Sequence, residues 1–90
     1  MPKYVIEREV PGAGKMSPED LKATSVKSRD VMKSMGSDIQ WLQSYVTEDK
    51  IYCVYVAPNE QMIRDHAKQA GLPVTRISKI NNIIDPTTAE

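Results

Sequence analysis

Residues 39–47 and 50–57 are both rich in β-branched and aromatic side chains, and only Glu48 and Asp49 stand between them. Two β-forming runs this close must double back on each other, so the chain contains an antiparallel hairpin. Pairing Val46 with Ile51 sets the register and sorts the side chains onto two faces. Trp41, Gln43, Tyr45, Tyr52, Val54 and Val56 fall on one face; Leu42, Ser44, Val46, Ile51, Cys53 and Tyr55 fall on the other. Both faces carry large apolar groups, so both need cover.

The flanking segments supply cover for one of them. Ser17-Pro18-Glu19-Asp20 is a helix start, with a capping hydroxyl, proline at the first helical position and two acids at the positive end. This helix runs to about Met35 and stops at Gly36, with an inner stripe of Leu21, Thr24, Ser25, Ser28, Met32 and Met35. Asn59 caps a second helix that ends at Ala70, before Gly71 and Pro73; Met62, Ile63, His66, Ala67 and Ala70 form its inner stripe. Residues 3–9 alternate around Val5 and Ile6 and read as a first strand, stopped by Val10-Pro11-Gly12-Ala13-Gly14. Residues 75–84 read as a last strand, with the alternation broken near Asn81-Asn82, and residues 85–90 form a polar tail. The order is βαββαβ. It predicts an α+β, ferredoxin-like sandwich: one antiparallel sheet with two helices on one face, in a single domain over residues 1–90.

Ser44 and Cys53 are small enough to admit a closely packed helix, which assigns Leu42, Ser44, Ile51, Cys53 and Tyr55 to the helix side. The other face then keeps Trp41, Tyr45 and Tyr52 uncovered, and a monomer rarely leaves such a patch wet. Those three residues are the expected interface of a homodimer of the dimeric α/β-barrel type.

Charge excludes other partners. Twelve basic and twelve acidic residues balance to zero, so neither a nucleic-acid-binding stripe nor attraction to an anionic membrane is expected. Cys53 is the one cysteine, which rules out an internal disulfide and suggests a reducing compartment. The alternating, acid-bearing start is unlike a signal peptide, and no apolar run approaches the roughly 20 residues of a membrane span. A cytoplasmic location is expected.

Candidate chemistry is sparse. Gly12-Ala13-Gly14-Lys15-Met16-Ser17 lies between strand and helix but fails as a phosphate loop: Glu9 holds the earlier glycine position, and Met16 stands where Ser or Thr must reach magnesium. His66, the one histidine, sits on the apolar stripe of the second helix, where a hydrogen-bonded core role competes with a metal-ligand or general-base role. Cys53 reads as an inert buried thiol. Ser25, Ser28, Ser44, Cys53 and Tyr55 fall where helix and sheet meet, so a small polar pocket is expected there, with His66 nearby. Glu7 and Glu9 project to one face of the first strand, either at a wet rim or toward a ligand. No catalytic motif is present in these patterns.

Longer stretches carry a resemblance. Residues 1–9, Pro11-Gly12-Ala13-Gly14, Asp38-Ile39-Gln40-Trp41, Ser44-Tyr45-Val46-Thr47, Tyr52-Cys53-Val54-Tyr55, Ala57-Pro58-Asn59-Glu60, Ile63-Arg64-Asp65-His66-Ala67 and Gly71-Leu72-Pro73 together resemble a family of small, largely uncharacterised bacterial proteins that includes a nickel-binding protein. The resemblance implies a ferredoxin-like sandwich that dimerises through its sheet, and nickel or another divalent transition metal as ligand. The family pattern has histidine where this chain has Gln43, and an imidazole suits nickel better than a neutral amide. His66 matches the helix motif. The metal donors then implied are Glu7, Glu9, Gln43 and His66, with Glu7 and Gln43 meeting on the open sheet face near the dimer seam. The expectation is a cytoplasmic metal-binding or metal-responsive homodimer with no organic cofactor, not an enzyme. The alternative is a small-molecule-binding or isomerase-like protein with a pocket between helices and sheet.

Overall fold

The structure is a computed structural model that describes residues 1–36 and 38–90. Strand β1 spans Lys3–Glu9, helix α1 Pro18–Ser34, strand β2 Gln40–Val46, strand β3 Lys50–Val56, helix α2 Glu60–Ala70 and strand β4 Arg76–Ile80. The sheet order is β2-β3-β1-β4, every neighbouring pair antiparallel, with β1 and β3 at its centre. This is the ferredoxin-like α+β arrangement that the element order predicts.

Local chemistry explains the helix limits. The Ser17 hydroxyl accepts from the Asp20 backbone N–H at 3.1 Å while the Asp20 carboxylate accepts from the Ser17 N–H, so a reciprocal capping box opens α1. Asn59 caps α2 by accepting from the Met62 N–H at 2.9 Å. Gly71 ends α2 at φ +69°, a left-handed conformation that suits glycine, and the Leu72 N–H closes back on the Ala67 carbonyl.

One loop pins the hairpin. A single 3-10 turn, Ala13–Lys15, follows β1. Its Gly14 N–H donates to the Glu48 carbonyl at 2.9 Å, and the Gly12 N–H donates to the Asp49 carboxylate at 3.0 Å. The Glu48-Asp49 turn is therefore tied to the loop between β1 and α1. The sequence Gly12-Ala13-Gly14 serves this clamp.

Alternation along β1 puts Tyr4, Ile6 and Arg8 on the helix side and Lys3, Val5, Glu7 and Glu9 on the open side. Tyr4 and Ile6 join Met32, Ile39, Cys53, Tyr55, Ala57 and Ile63 in the core.

Two sequence expectations are corrected. Val46 pairs with Ile51, but an extra residue enters β2 between Trp41 and Gln43. Trp41 stands opposite Tyr55 and packs against the core, while Gln43 stands opposite Val54. Leu42, expected under the helices, is the extra residue and is 48% exposed. Trp41, expected at an interface on the open face, belongs to the helix side. Strict two-residue alternation carries both errors, because a bulge flips every side chain beyond it. The second correction is at the last strand, which ends at Ile80. Ile83 and Ile84 are largely exposed, and a short 3-10 turn, Pro86–Ala89, follows, opened by the Asp85 carboxylate. The polar pair Asn81-Asn82 stops the ladder rather than bulging it.

Candidate functional site

Arg8 is the next inward position on β1 after Ile6, and it is only 2% exposed. A buried guanidinium must find partners for its donors or lose much of its hydration energy. Two of its three nitrogens do. Nε donates to the Cys53 sulfur at 3.4 Å, and Nη1 donates to the Pro73 carbonyl at 2.8 Å. Nη2 is buried without a partner among the described residues.

Arg8 lines a pocket of about 70 Å³ between α1 and the sheet. Ser25, Ser28, Ser44, Cys53 and Tyr55 line it too, and Leu21, Ile51 and Trp41 add apolar wall. Two of its serine hydroxyls have defined commitments. The Ser25 hydroxyl donates back to the Leu21 carbonyl at 2.8 Å. The Ser44 oxygen accepts from the Trp41 indole N–H at 2.9 Å, which leaves the Ser44 proton available. That bond depends on the bulge, which brings Trp41 to the same face as Ser44.

Behind the pocket, His66 is fully buried, with its Nε2 3.2 Å from both the hydroxyl and the carbonyl oxygen of Ser28. A carbonyl can only accept, so Nε2 carries the proton and donates. Nδ1 then holds a lone pair with no partner among the described residues. Burial holds the His66 imidazole below its usual pKa; the Ser28 carbonyl works against that, and the nearby Arg8 charge adds to it. The neutral ring tilts against Tyr55, centroids 5.5 Å apart at 58°. Burial also pushes the Tyr55 phenol up, with Cys53 adding to the effect, while Arg8 and Ser28 favour the phenolate.

The four expected metal donors are not brought together. Glu7 and Gln43 share the open sheet face, but β3 lies between their strands, a separation of roughly 10 Å before any offset along the strands. Glu7 is paired with the Lys50 ammonium at 3.6 Å, Glu9 is exposed at the end of β1, and Gln43 donates to the Tyr45 hydroxyl. His66 lies in the helix layer. Among the described residues no three His, Cys, Asp or Glu side chains are grouped closely enough to hold a metal ion.

Arg8 is the site residue that sequence reasoning missed. The signal was available, because residue 8 continues the inward alternation of Tyr4 and Ile6. Arginine as a residue type is mostly exposed, so only its position in the alternation points inward. A wider depression of about 720 Å³ runs over the outer face of α1 near Lys22, Ala23 and Val26, but every residue lining it is at least partly exposed and it holds no buried polar group.

Residues 4–80 match the family described as nickel responsive protein SCO4226-like. Among solved structures, the crystal structure of SCO4226 from Streptomyces coelicolor A3(2) is similar at a TM-score of 0.77 and 14% identity, over 91% of this chain and 99% of that one. At that identity the likeness establishes the fold alone. No curated protein sequence matches the chain.

Proposed function

The chain belongs to the SCO4226-like family of nickel responsive proteins, and from that premise we propose that it is a metal-responsive binding protein of the cytoplasm that works as a homodimer rather than as an enzyme. The observation that carries the reading is the uncovered sheet face. Tyr45 is 54% exposed there, and Tyr52, Val54 and Val5 extend the same surface away from both helices. A second copy of the chain laid against this face covers its aromatics and doubles the number of donors at one seam.

A single protomer does not fit a nickel ion: its acids are paired or apart, its histidine is in the other layer, and no donor cluster forms among the described residues. The ion therefore has to draw donors from two copies. Those on offer are carboxylates and a neutral amide, which hold nickel less well than imidazole does. Weak binding is the consequence.

Calorimetric titration with nickel, beside sedimentation of the same samples, tests the reading. The wild type should bind weakly as a dimer, and Gln43→His should tighten binding by supplying a nitrogen donor at the seam. No heat from either form sinks the proposal. If Gln43→His changes nothing while His66→Ala abolishes binding, the site lies on the helix side instead.

A further inference from the structure

We propose that the pocket beneath α1 is a binding site for a small aliphatic carboxylate, held by the Nη2 group of Arg8. The nickel reading plays no part in this: the pocket and the open face lie on opposite sides of the sheet, and either can fail alone.

The argument begins with charge. Arg8 is 98% buried by its 2% exposure, and among the described residues no carboxylate lies within ion-pair distance of it. The three ion pairs among the described residues use Arg29, Lys50 and Arg64. A thiol and one carbonyl occupy two of its arms, and neither is a carboxylate counter-ion. A guanidinium stays charged at any ordinary pH, so the buried positive charge calls for an anion, and the arm without a partner belongs to a residue lining an open volume.

Size and lining then narrow the class. About 70 Å³ is roughly half of a cavity of about 150 Å³ that holds a benzene ring, so the occupant has only a few heavy atoms. Leu21, Ile51 and Trp41 offer apolar wall, which suits a short alkyl body. One guanidinium arm and the Ser44 proton suit the two oxygens of a carboxylate. A phosphate or sulfate needs more donors than these to leave water. Val46 lines the pocket and is 43% exposed, so the volume reaches the surface at the β2 edge.

Trp41 is the one tryptophan in the chain and lines the pocket, so its fluorescence reports occupancy. The full chain is titrated with sodium acetate at constant ionic strength, with acetamide and inorganic phosphate as parallel probes. A saturable change with acetate, absent with acetamide and phosphate, is expected. Arg8→Met should weaken the acetate response about tenfold or more, the size of one lost charged hydrogen bond. If Arg8→Met does not fold, Ser25→Leu fills the volume from α1 without touching Arg8, and it should abolish the response while the circular dichroism stays native. A pocket holding solvent only gives no saturable response to acetate, and that result overturns the proposal. Equal responses to acetate and acetamide, or a folded Arg8→Met that responds like wild type, also overturn it.

Discussion

The Arg8 Nε lies 3.4 Å from the Cys53 sulfur, a contact between diagonal neighbours on the helix side of adjacent strands, since Cys53 pairs with Ile6 and Arg8 with Ile51. The thiol is thus an acceptor for a buried charge as well as a small apolar filler.

That relationship orders two substitutions against simple hydrophobicity. Cys53→Ser keeps an acceptor and should lose about 1 kcal/mol of stability. Cys53→Val fills the space better but strands a second arm of Arg8, and should lose more, about 1–3 kcal/mol beyond any packing gain. Urea denaturation of both variants checks the order. Because Cys53 is buried, a thiol reagent should label the native protein far more slowly than the unfolded chain.

His66 gives a pH dependence. Its folded pKa lies below the ordinary 6.5, so below that pH the unfolded chain takes up more protons than the folded one. Stability should be level above about pH 6.5 and fall as the pH drops through it. Midpoints of thermal unfolding between pH 8 and pH 5 measure this. His66→Gln, which keeps an N–H for the Ser28 carbonyl, should flatten the fall in that window. A melting point that rises on acidification from pH 7 would contradict the assignment.

Face assignments separate folding from association. Tyr52→Asp and Tyr45→Asp alter the open face and should dissociate the proposed dimer while leaving the fold intact. Burial of one large aromatic is worth about 2–3 kcal/mol. Trp41→Asp should instead unfold the chain, because Trp41 packs against the core and donates to Ser44. Sedimentation velocity with circular dichroism distinguishes the two outcomes.

The loop clamp predicts an inverted glycine pair. A Cβ on Gly12 meets nothing within 4 Å, so Gly12→Ala costs only the backbone strain of φ +79°, about 1 kcal/mol. A Cβ on Gly14 would sit 3.0 Å from the Glu48 Cα and 3.2 Å from the Thr47 carbonyl, both backbone atoms that cannot swing aside. Gly14→Ala should cost more, about 1–3 kcal/mol, and loosen the hairpin turn. Denaturation midpoints, with hydrogen exchange at residues 47–50, check both.

Features governed by local chemistry were readable in the sequence. The hairpin, the Ser17 and Asn59 caps, the stop at Gly71 and the helix layer over Ser44 and Cys53 each follow from a few neighbouring residues. Features set by register were not. One inserted residue, Leu42, moves Trp41 to the other face, and nothing in its side chain announces a bulge. The serines, Cys53 and Tyr55 of the pocket were legible as small or polar groups at a helix–sheet contact. Arg8 was legible by its inward place in the alternation but not by its residue type, and the partners that hold it lie 45 and 65 residues away. The metal donors shared a composition suited to an ion but not a place in one protomer.

Strand β2 is an edge of the sheet, and its outer backbone groups face no neighbouring strand among the described residues. An unbroken edge of this kind is a template on which another chain can add, strand by strand, into a ribbon. Leu42 spoils the template, because the extra residue throws the outward N–H and C=O groups out of the even spacing that an incoming strand requires. The same insertion that gives Trp41 to the pocket therefore guards this side of the molecule against open-ended growth.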